Sequence, residues 1–416
     1  MANEIETALQ NAVQFLLGPH SIDNSSSISY GGFYGFQNTT APLRETDRPF
    51  VFYEITGYGI NLLLKLYSWH NEIKFLELAK KAGECLLLAQ AKDDDSKASG
   101  AFYDRYYPET KKFFATFHSY PNGVCVGALC ELYLQTRDIR FINSAKKAAN
   151  WLFSMLEKKD DLYIGFREFY SKSEESKKVY PYESLCIPFI LLKFQKELEL
   201  SEKQKADLGQ VISWGLGSQN EEGFFPFFYL PQDSKFNNTA YSHFTIYPLY
   251  NLMGFPLSEL EKMGHGGAFD SYLKCGKWLV KVQAENGGFY TYYHKNKHVW
   301  HQQSPAVGQA LCSFVDLYQK TDDKKFLDSA KKCATWLVTN QIKDGDYKGS
   351  FYWIYPNKHL TKLQKKIKYA KERLASKLSE SENISDITIL LDKVPIWPVQ
   401  FAIEGLYRFK ELKTLL

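Results

Sequence analysis

The stretches 141-FINSAKKAANWL-152 and 326-FLDSAKKCATWL-337 are identical at eight of twelve positions. A third copy reads 75-FLELAKKAGECL-86, and 270-DSYLKCGKWLV-280 is a weaker fourth. In each, apolar residues recur at three- and four-residue spacing, which marks an amphipathic helix, and the lysines fall on its polar face. A helix repeated at long intervals points to a repeat architecture. What precedes and follows each copy defines the unit.

A second kind of helix precedes three of the copies: 55-ITGYGINLLLKLY-67, 122-NGVCVGALCELY-133 and 305-PAVGQALCSFVDLY-318. Each ends in Leu-Tyr, eight residues before the Phe that opens the next helix. These helices are apolar nearly all round and rich in Gly, Ala and Cys, so they are enclosed on every side. A glycine-aromatic phrase follows the amphipathic helix: 100-GAFYDRYY-107, 219-QNEEGFFPFFY-229, 283-QAENGGFYTYYH-294 and 349-GSFYWIYP-356, with 30-YGGFYGF-36 near the start. The unit is therefore an inner helix, a short turn, an outer helix and a loop in which glycine makes the turn. The aromatics of that loop are expected to line one mouth of the assembly.

Inner helices are expected to begin near Ile55, Asn122, Glu183, His243, Pro305 and Pro398, six in all. The last, 397-WPVQFAIEGLYRF-409, has no outer helix after it, while 4-EIETALQNAVQFLL-17 is an amphipathic helix without an inner partner. Pairing the two closes a ring. The expectation is an all-α (α/α)6 toroid of six helical hairpins, one domain over residues 1–416. Residues 357–393 break the period with a basic amphipathic segment followed by a Ser- and Glu-rich one. They read as an insertion between the fifth and sixth units. Its part 357–375 could touch an anionic membrane surface or an acidic protein, or be a solvated excursion.

The bulk properties narrow the function. Among 416 residues the formal net charge is only +4, which gives no argument for nucleic acid as a partner. Aromatics make up 16%, with 28 Tyr and 30 Phe; tyrosine's flat face and phenol suit both packing and sugar binding. The seven cysteines lie mostly in apolar helical stretches, as expected of reduced thiols in a cytoplasmic protein. No C-x-x-C pair and no H-E-x-x-H signature occurs, so neither metal nor cofactor is expected. No apolar run is long enough to span a membrane.

Candidate site residues gather where the outer-to-inner loops meet the inner helices. The longer loops lie on this side, and converging helix N-termini favour an anionic group. In order they are Arg48 and Glu54, Asp104 and Arg105, His118 and Tyr120, Arg167 and Glu168, Tyr180, Tyr182 and Glu183, Tyr241 and His243, Tyr292, His301 and Gln303, and Trp397. Two chemistries fit them. Glycoside hydrolysis wants two carboxyl groups across the scissile bond, and Glu54, Asp104, Glu168 and Glu183 are the acids on offer. Proton abstraction beside a carboxylate wants a Tyr or His base, a donor on the other side and a cation for the carboxylate. Tyr120, Tyr182, Tyr241, His118 and His243 with Arg48, Arg105 and Gln303 supply that set, provided a nearby Arg lowers a phenol pKa. Glu54, just ahead of its helix, is equally readable as a carboxylate favoured by the helix dipole.

The fifth unit, 304-SPAVGQALCSFVDLYQKTDDKKFLDSAKKCATWL-337, resembles the helical catalytic domain of D-glucuronyl epimerases. The matching pieces are Gly308-Gln309, Tyr318, Thr321, Asp323 and Phe326-Leu327. In 241-YSHFTIYPL-249, Tyr241 matches a tyrosine that leads into an inner helix in that family, while the family's histidines are out of register with His243. The resemblance implies proton exchange at carbon 5 of a uronate by cleft tyrosines with a carboxylate, and of these residues it carries over only Tyr241. The leading expectation is thus a cofactor-independent carbohydrate epimerase or lyase acting on a polysaccharide or glycan intermediate. A glycoside hydrolase using Glu54 or Glu183 with Asp104 is one alternative, and a non-catalytic glycan- or protein-binding toroid is another.

Overall fold

The computed structural model describes residues 2–355 and 393–415, apart from residues 26, 39–47, 93–96, 175, 177, 254, 295, 296, 299 and 300. The insertion expected at 357–393, with its 357–375 contact segment, lies outside the described residues except for Lys393. Helix α1 (Ala2–Leu16) comes first, followed by the hairpins α2 (Tyr53–His70) with α3 (Ile73–Leu88) and α4 (Ser119–Thr136) with α5 (Ile139–Ser154). Next come α6 (Glu183–Lys193) with α7 (Glu202–Gly217), and α8 (Ser242–Met253), a short α9 (Leu257–Lys262) and α10 (Ala268–Val282). Then follow α11 (Ser304–Thr321) with α12 (Lys324–Asn340), and finally α13 (Trp397–Leu415).

Helices α2, α4, α6, α8, α11 and α13 each pack on the next, and α13 returns to α2, so the inner ring is closed. Helix α1 packs on α13 and supplies its outer partner. The fold is the (α/α)6 toroid expected from the repeat. The seam is tied by antiparallel pairing of Phe36–Asn38 with Lys393–Pro395 and by a Lys410–Glu6 ion pair at 2.8 Å.

The turn inside each hairpin explains the Leu-Tyr ending. Asn71, Arg137 and Asp322 take left-handed conformations after α2, α4 and α11, and their N–H groups donate to the carbonyls of Tyr67, Tyr133 and Tyr318. Asp138 and Asp323 then cap α5 and α12. The Thr321 and Asp323 positions of the fifth unit are thus parts of a turn. Thr321 bonds back to the Leu317 carbonyl and accepts from the Asp323 N–H.

The glycine-aromatic phrase does more than turn the chain. Gly31, Gly100, Gly223, Gly287 and Gly349 all have φ between 85° and 109°, a region closed to most other residues. Each also lies against the backbone of the next outer helix around the ring, at Lys81, Lys147, Lys274, Lys332 and Asn11 respectively. A Cβ on Gly100 would stand 2.8 Å from the Lys147 carbonyl oxygen. Four of the phrases add a glutamine. Gln90 Nε2 donates to the carbonyls of Gly100 at 2.7 Å and Ser144 at 2.9 Å. Gln219, Gln283 and Gln341 repeat this with Gly223 and Ser271, Gly287 and Ser329, and Gly349 and Ala8. The last pair joins the fifth loop to α1.

The aromatics are divided between core and rim, which corrects the expectation that they line a mouth. Two residues beyond each glycine, Phe33, Phe102, Phe225, Phe289 and Phe351 are buried between helices. Only later residues of each phrase reach the rim. The loops also carry short antiparallel pairs, which the all-α expectation did not include, among them Val51–Phe52 with Arg105–Tyr107 and Gln302–Gln303 with Ile354–Tyr355. No described helix is long and apolar enough to cross a membrane.

Replacing Gly287 with Ala should lower the unfolding free energy by about 2 kcal/mol or more, since left-handed strain and a backbone clash add. At Gly217, where a Cβ would meet nothing within 4 Å, the same change should be neutral or slightly stabilising. Urea midpoints of the two variants measure the contrast.

Candidate active site

The inner helices begin up to three residues earlier than their apolar pattern suggests. Their first turns carry polar and aromatic residues that periodicity does not register. Glu54, expected just ahead of its helix, is the second residue of α2; Tyr120 and His243 hold the same place in α4 and α8. These first turns converge on one cavity of about 310 Å³.

Twelve of the sequence-derived candidates line it: Glu54, Asp104, Arg105, His118, Tyr120, Glu168, Tyr180, Tyr182, Glu183, Tyr241, His243 and Trp397. Tyr241 and Glu54 thus share one space. Five others do not line it. Arg48 pairs with Glu109 at 2.9 Å, where both are solvent-facing. Arg167 donates to the Ser154 carbonyl at 2.8 Å. Tyr292 packs behind Tyr241, with ring centroids 4.6 Å apart. His301 is buried in the wall, its carbonyl accepting from Thr291. Gln303 is wholly buried behind the first shell of side chains, bonded to Ser242 Oγ at 3.3 Å.

The cavity also takes in Trp353, which the phrase 349-GSFYWIYP-356 carries, and the aromatics Phe244 and Tyr247, which the loop phrases did not signal. Tyr247 lies four residues after His243, one helical turn deeper on the same face. Tyr58 stands in the same relation to Glu54, and its phenol meets that of Tyr120 at 2.6 Å. That i, i+4 spacing is the one sequence signal that could have found this deeper layer.

Four carboxyl groups share the cavity, and they fall into two pairs. In the first, Glu54 is driven up to about 8 by burial and then by the charge of Asp104, with Tyr58 partly offsetting this. Asp104 is itself buried, with Arg105 Nε at 2.5 Å from one oxygen and His118 Nε2 at 3.9 Å from the other. In the second, burial and then Glu168 hold Glu183 well above the ordinary carboxyl range. Tyr182 donates to one Glu183 oxygen at 3.0 Å, while the other is buried with no hydrogen bond. Glu168 accepts from Ser176 at 2.7 Å and Tyr180 at 3.0 Å. Each pair thus holds one protonated carboxyl beside a better-solvated or ion-paired partner.

The tyrosines correct the expectation of a phenolate base. Burial pushes Tyr120 and Tyr182 well above their ordinary value and Tyr241 up to about 12. Arg105, the cation expected to lower a phenol, instead holds Asp104 and lies over the Phe50 ring at 4.4 Å. No other Arg or Lys lines the cavity among the described residues, so the cation wanted for a uronate carboxylate is already engaged. His243 is driven down to about 3 by burial, with Gln303 partly offsetting this, so its imidazole is neutral at pH 7. Its Nδ1 is buried without a hydrogen bond. Among the described residues no group of His, Cys, Asp and Glu could hold a metal ion.

Fold and cleft together place the chain in the class of (α/α)6 toroids, and comparison with solved structures agrees. Cellobiose 2-epimerase from Bacillus thermoamylovorans superposes with a TM-score of 0.71 at 14% identity, over 98% of this chain and 99% of that one. D-mannose isomerase gives 0.68 at 13% identity, over 99% and 97% of the two chains. An unsaturated glucuronyl hydrolase specific for heparin gives 0.66 at 12% identity, over 100% and 99%. No family model and no curated protein matches the chain.

The Glu54 proton leaves a signature in stability. The unfolded chain releases it near the ordinary 4.5 and the native chain near about 8. Between those values only the native state keeps the proton, so stability falls as pH rises through the window. Glu54→Gln should remove this slope. Chemical denaturation at pH 5, 7 and 9 should show the variant gaining on the parent as pH rises; a pH-independent difference contradicts the assignment.

Proposed function

We propose that the chain is a carbohydrate-active enzyme whose cleft carboxyl groups transfer protons, hydrolysing a glycosidic bond of a glycan without a required anionic group. The observation that carries this reading is the Glu54–Asp104 pair. Glu54 is protonated at neutral pH and suits the general acid, and Asp104, paired with Arg105, suits the base or nucleophile. Glu183 and Glu168 form a second hydrogen-bonding pair for sugar hydroxyls, and Tyr182, Tyr241 and Trp397 offer ring faces. Four acids against one engaged arginine disfavour a uronate, the substrate class suggested by the epimerase resemblance. The similar solved structures include sugar epimerases and a glycoside hydrolase, so the fold is compatible with either chemistry.

A second reading keeps the epimerase expectation in altered form. The unpartnered Nδ1 of neutral His243 suits a base for proton abstraction from a sugar carbon, with a protonated carboxyl as donor. All seven cysteines are buried free thiols, which fits a cytoplasmic location.

Incubation with a panel of neutral oligosaccharides in D2O separates the readings. Hydrolysis gives new reducing ends. Deuterium entering a carbon of an intact sugar selects epimerisation, and neither change with retained binding selects a non-catalytic toroid. If hydrolysis holds, Glu54→Gln should lower kcat by about 10²- to 10⁴-fold, and the parent's rate should decline above about pH 8.

A further inference from the structure

Among the described acids of the cleft, Glu183 alone has a buried oxygen with no hydrogen bond. Asp104 has Arg105, and Glu168 accepts from Ser176 and Tyr180. Glu183 is the first residue of α6 and is only 3% exposed. Its Oε1 accepts from the Tyr182 phenol at 3.0 Å, while its Oε2 is the atom without a partner. An ionised carboxyl in that setting would leave charge on a desolvated oxygen. No cation meets it: Arg105, the only Arg or Lys on the cleft among the described residues, is held by Asp104. The groups that face Glu183 are Glu168, Glu54, Tyr180 and, on its own helix, Cys186. Only the Tyr182 bond favours the charge, and burial with Glu168 outweighs it, so the group is neutral at pH 7.

A neutral carboxyl has one carbonyl oxygen and one O–H. The Tyr182 phenol has a single proton to give, and it gives it to Oε1. The carbonyl oxygen is the better acceptor of the two, so the carboxyl proton sits on Oε2. Tyr182 is itself held in place. Its ring lies against Phe244 at 4.6 Å, Tyr120 at 5.3 Å, and Tyr180 and Tyr247 at 5.7 Å. Burial keeps its phenol protonated. The place of the Glu183 O–H is therefore set by the protein before any ligand arrives.

We propose that Glu183 is a fixed hydrogen-bond donor for the substrate, positioned by Tyr182, and that its Oε2–H meets a lone pair of a sugar oxygen. The proposal rests on the carbohydrate reading of the cleft. A buried donor without a partner costs free energy, and a hydroxyl, ring or glycosidic oxygen that meets it recovers that cost. A C–H or an ammonium group in the same place cannot, because neither has a lone pair. Glu183 thus selects a sugar that brings an oxygen to this corner. The same assignment removes Glu183 from the bases and nucleophiles expected of the site and leaves those tasks to Asp104.

Glutamine reproduces a neutral carboxyl, with a carbonyl for Tyr182 and an N–H for the ligand, whereas leucine keeps the bulk and neither group. Titration calorimetry with cellobiose, maltose and mannobiose should find a sugar that the parent binds. Glu183→Leu should bind it about tenfold more weakly, and Glu183→Gln no more than about threefold more weakly. The infrared difference spectrum between the parent and Glu183→Gln at pH 7 should contain a carboxylic C=O band. Tyr182→Phe, read against the same glutamine change, should move that band to higher wavenumber, because a carbonyl that loses a hydrogen bond stiffens. A purely structural role for Tyr182 would leave it in place. The band and the glutamine variant decide the matter if the leucine variant does not fold. A tenfold or greater loss in Glu183→Gln, no acid band, or a band that Tyr182→Phe leaves unmoved overturns the proposal and leaves the Glu54–Asp104 reading standing. Failure of the parent to bind any of the three sugars overturns both.

Discussion

The approach of a loop glycine to the backbone of the next outer helix organises the rest of this molecule. It recurs at Gly31, Gly100, Gly223, Gly287 and Gly349, and in four of these a glutamine amide bridges the same two segments. The contact fixes how far apart adjacent outer helices stand, because a side chain at the glycine would push the loop off the helix. It also fixes where the chain emerges. Two residues later a phenylalanine is driven between the helices, and the following residues are delivered to the rim. At Gly349 the partner is α1, so the device that spaces the repeats also closes the ring. The loop after α5 departs from this rule and turns instead through a hairpin of Leu156–Lys159 with Leu162–Phe166. It delivers Glu168 to the cleft by another route.

Closure gathers acidic groups that no single segment would hold together. Glu54 sits in the first turn of α2, where the helix dipole favours its charged form by up to ~2 kcal/mol. Burial and Asp104 act the other way, and a rise from 4.5 to about 8 corresponds to roughly 5 kcal/mol at about 1.4 kcal/mol per unit. The second effect wins, and the group stays protonated. At the opposite mouth the balance is reversed. Glu404, equally buried, is drawn down to about 2 because Lys65 and Arg408 both reach it and outweigh the burial that would raise it. Two buried glutamates on one inner ring therefore take opposite charge states, and the difference lies in what the neighbouring helices bring.

The residues that carry the likeness to glucuronyl epimerases are mostly architectural. Thr321 and Asp323 build a hairpin turn. Gly308 lies where a Cβ would meet the α13 backbone at 2.8 Å. Phe326 and Leu327 open an outer helix and are buried. Such residues identify the barrel and say little about its chemistry. Gln309, beside Gly308, is an exception in position: it is fully buried in the inner ring, one layer beneath the cleft, next to Tyr247.

The sequence by itself determined the ring: the number of hairpins, the partner of the first helix, and the mouth on which polar residues gather. Those features are written in periodicity and in repeated local phrases, both of which survive in a linear reading. It also named twelve of the residues that meet in the cleft, nine because they lie at or just before a helix start, and Asp104, Arg105 and Glu168 because they lie in the loops that lead from outer to inner helices. Only the tertiary structure decided that Arg48, Arg167, Tyr292, His301 and Gln303 stand behind or outside it. It likewise decided that the tyrosines are held as neutral phenols and that Glu54 keeps its proton. Burial and the distance to a second charge set these properties, and both depend on segments far apart in the chain that only ring closure brings side by side.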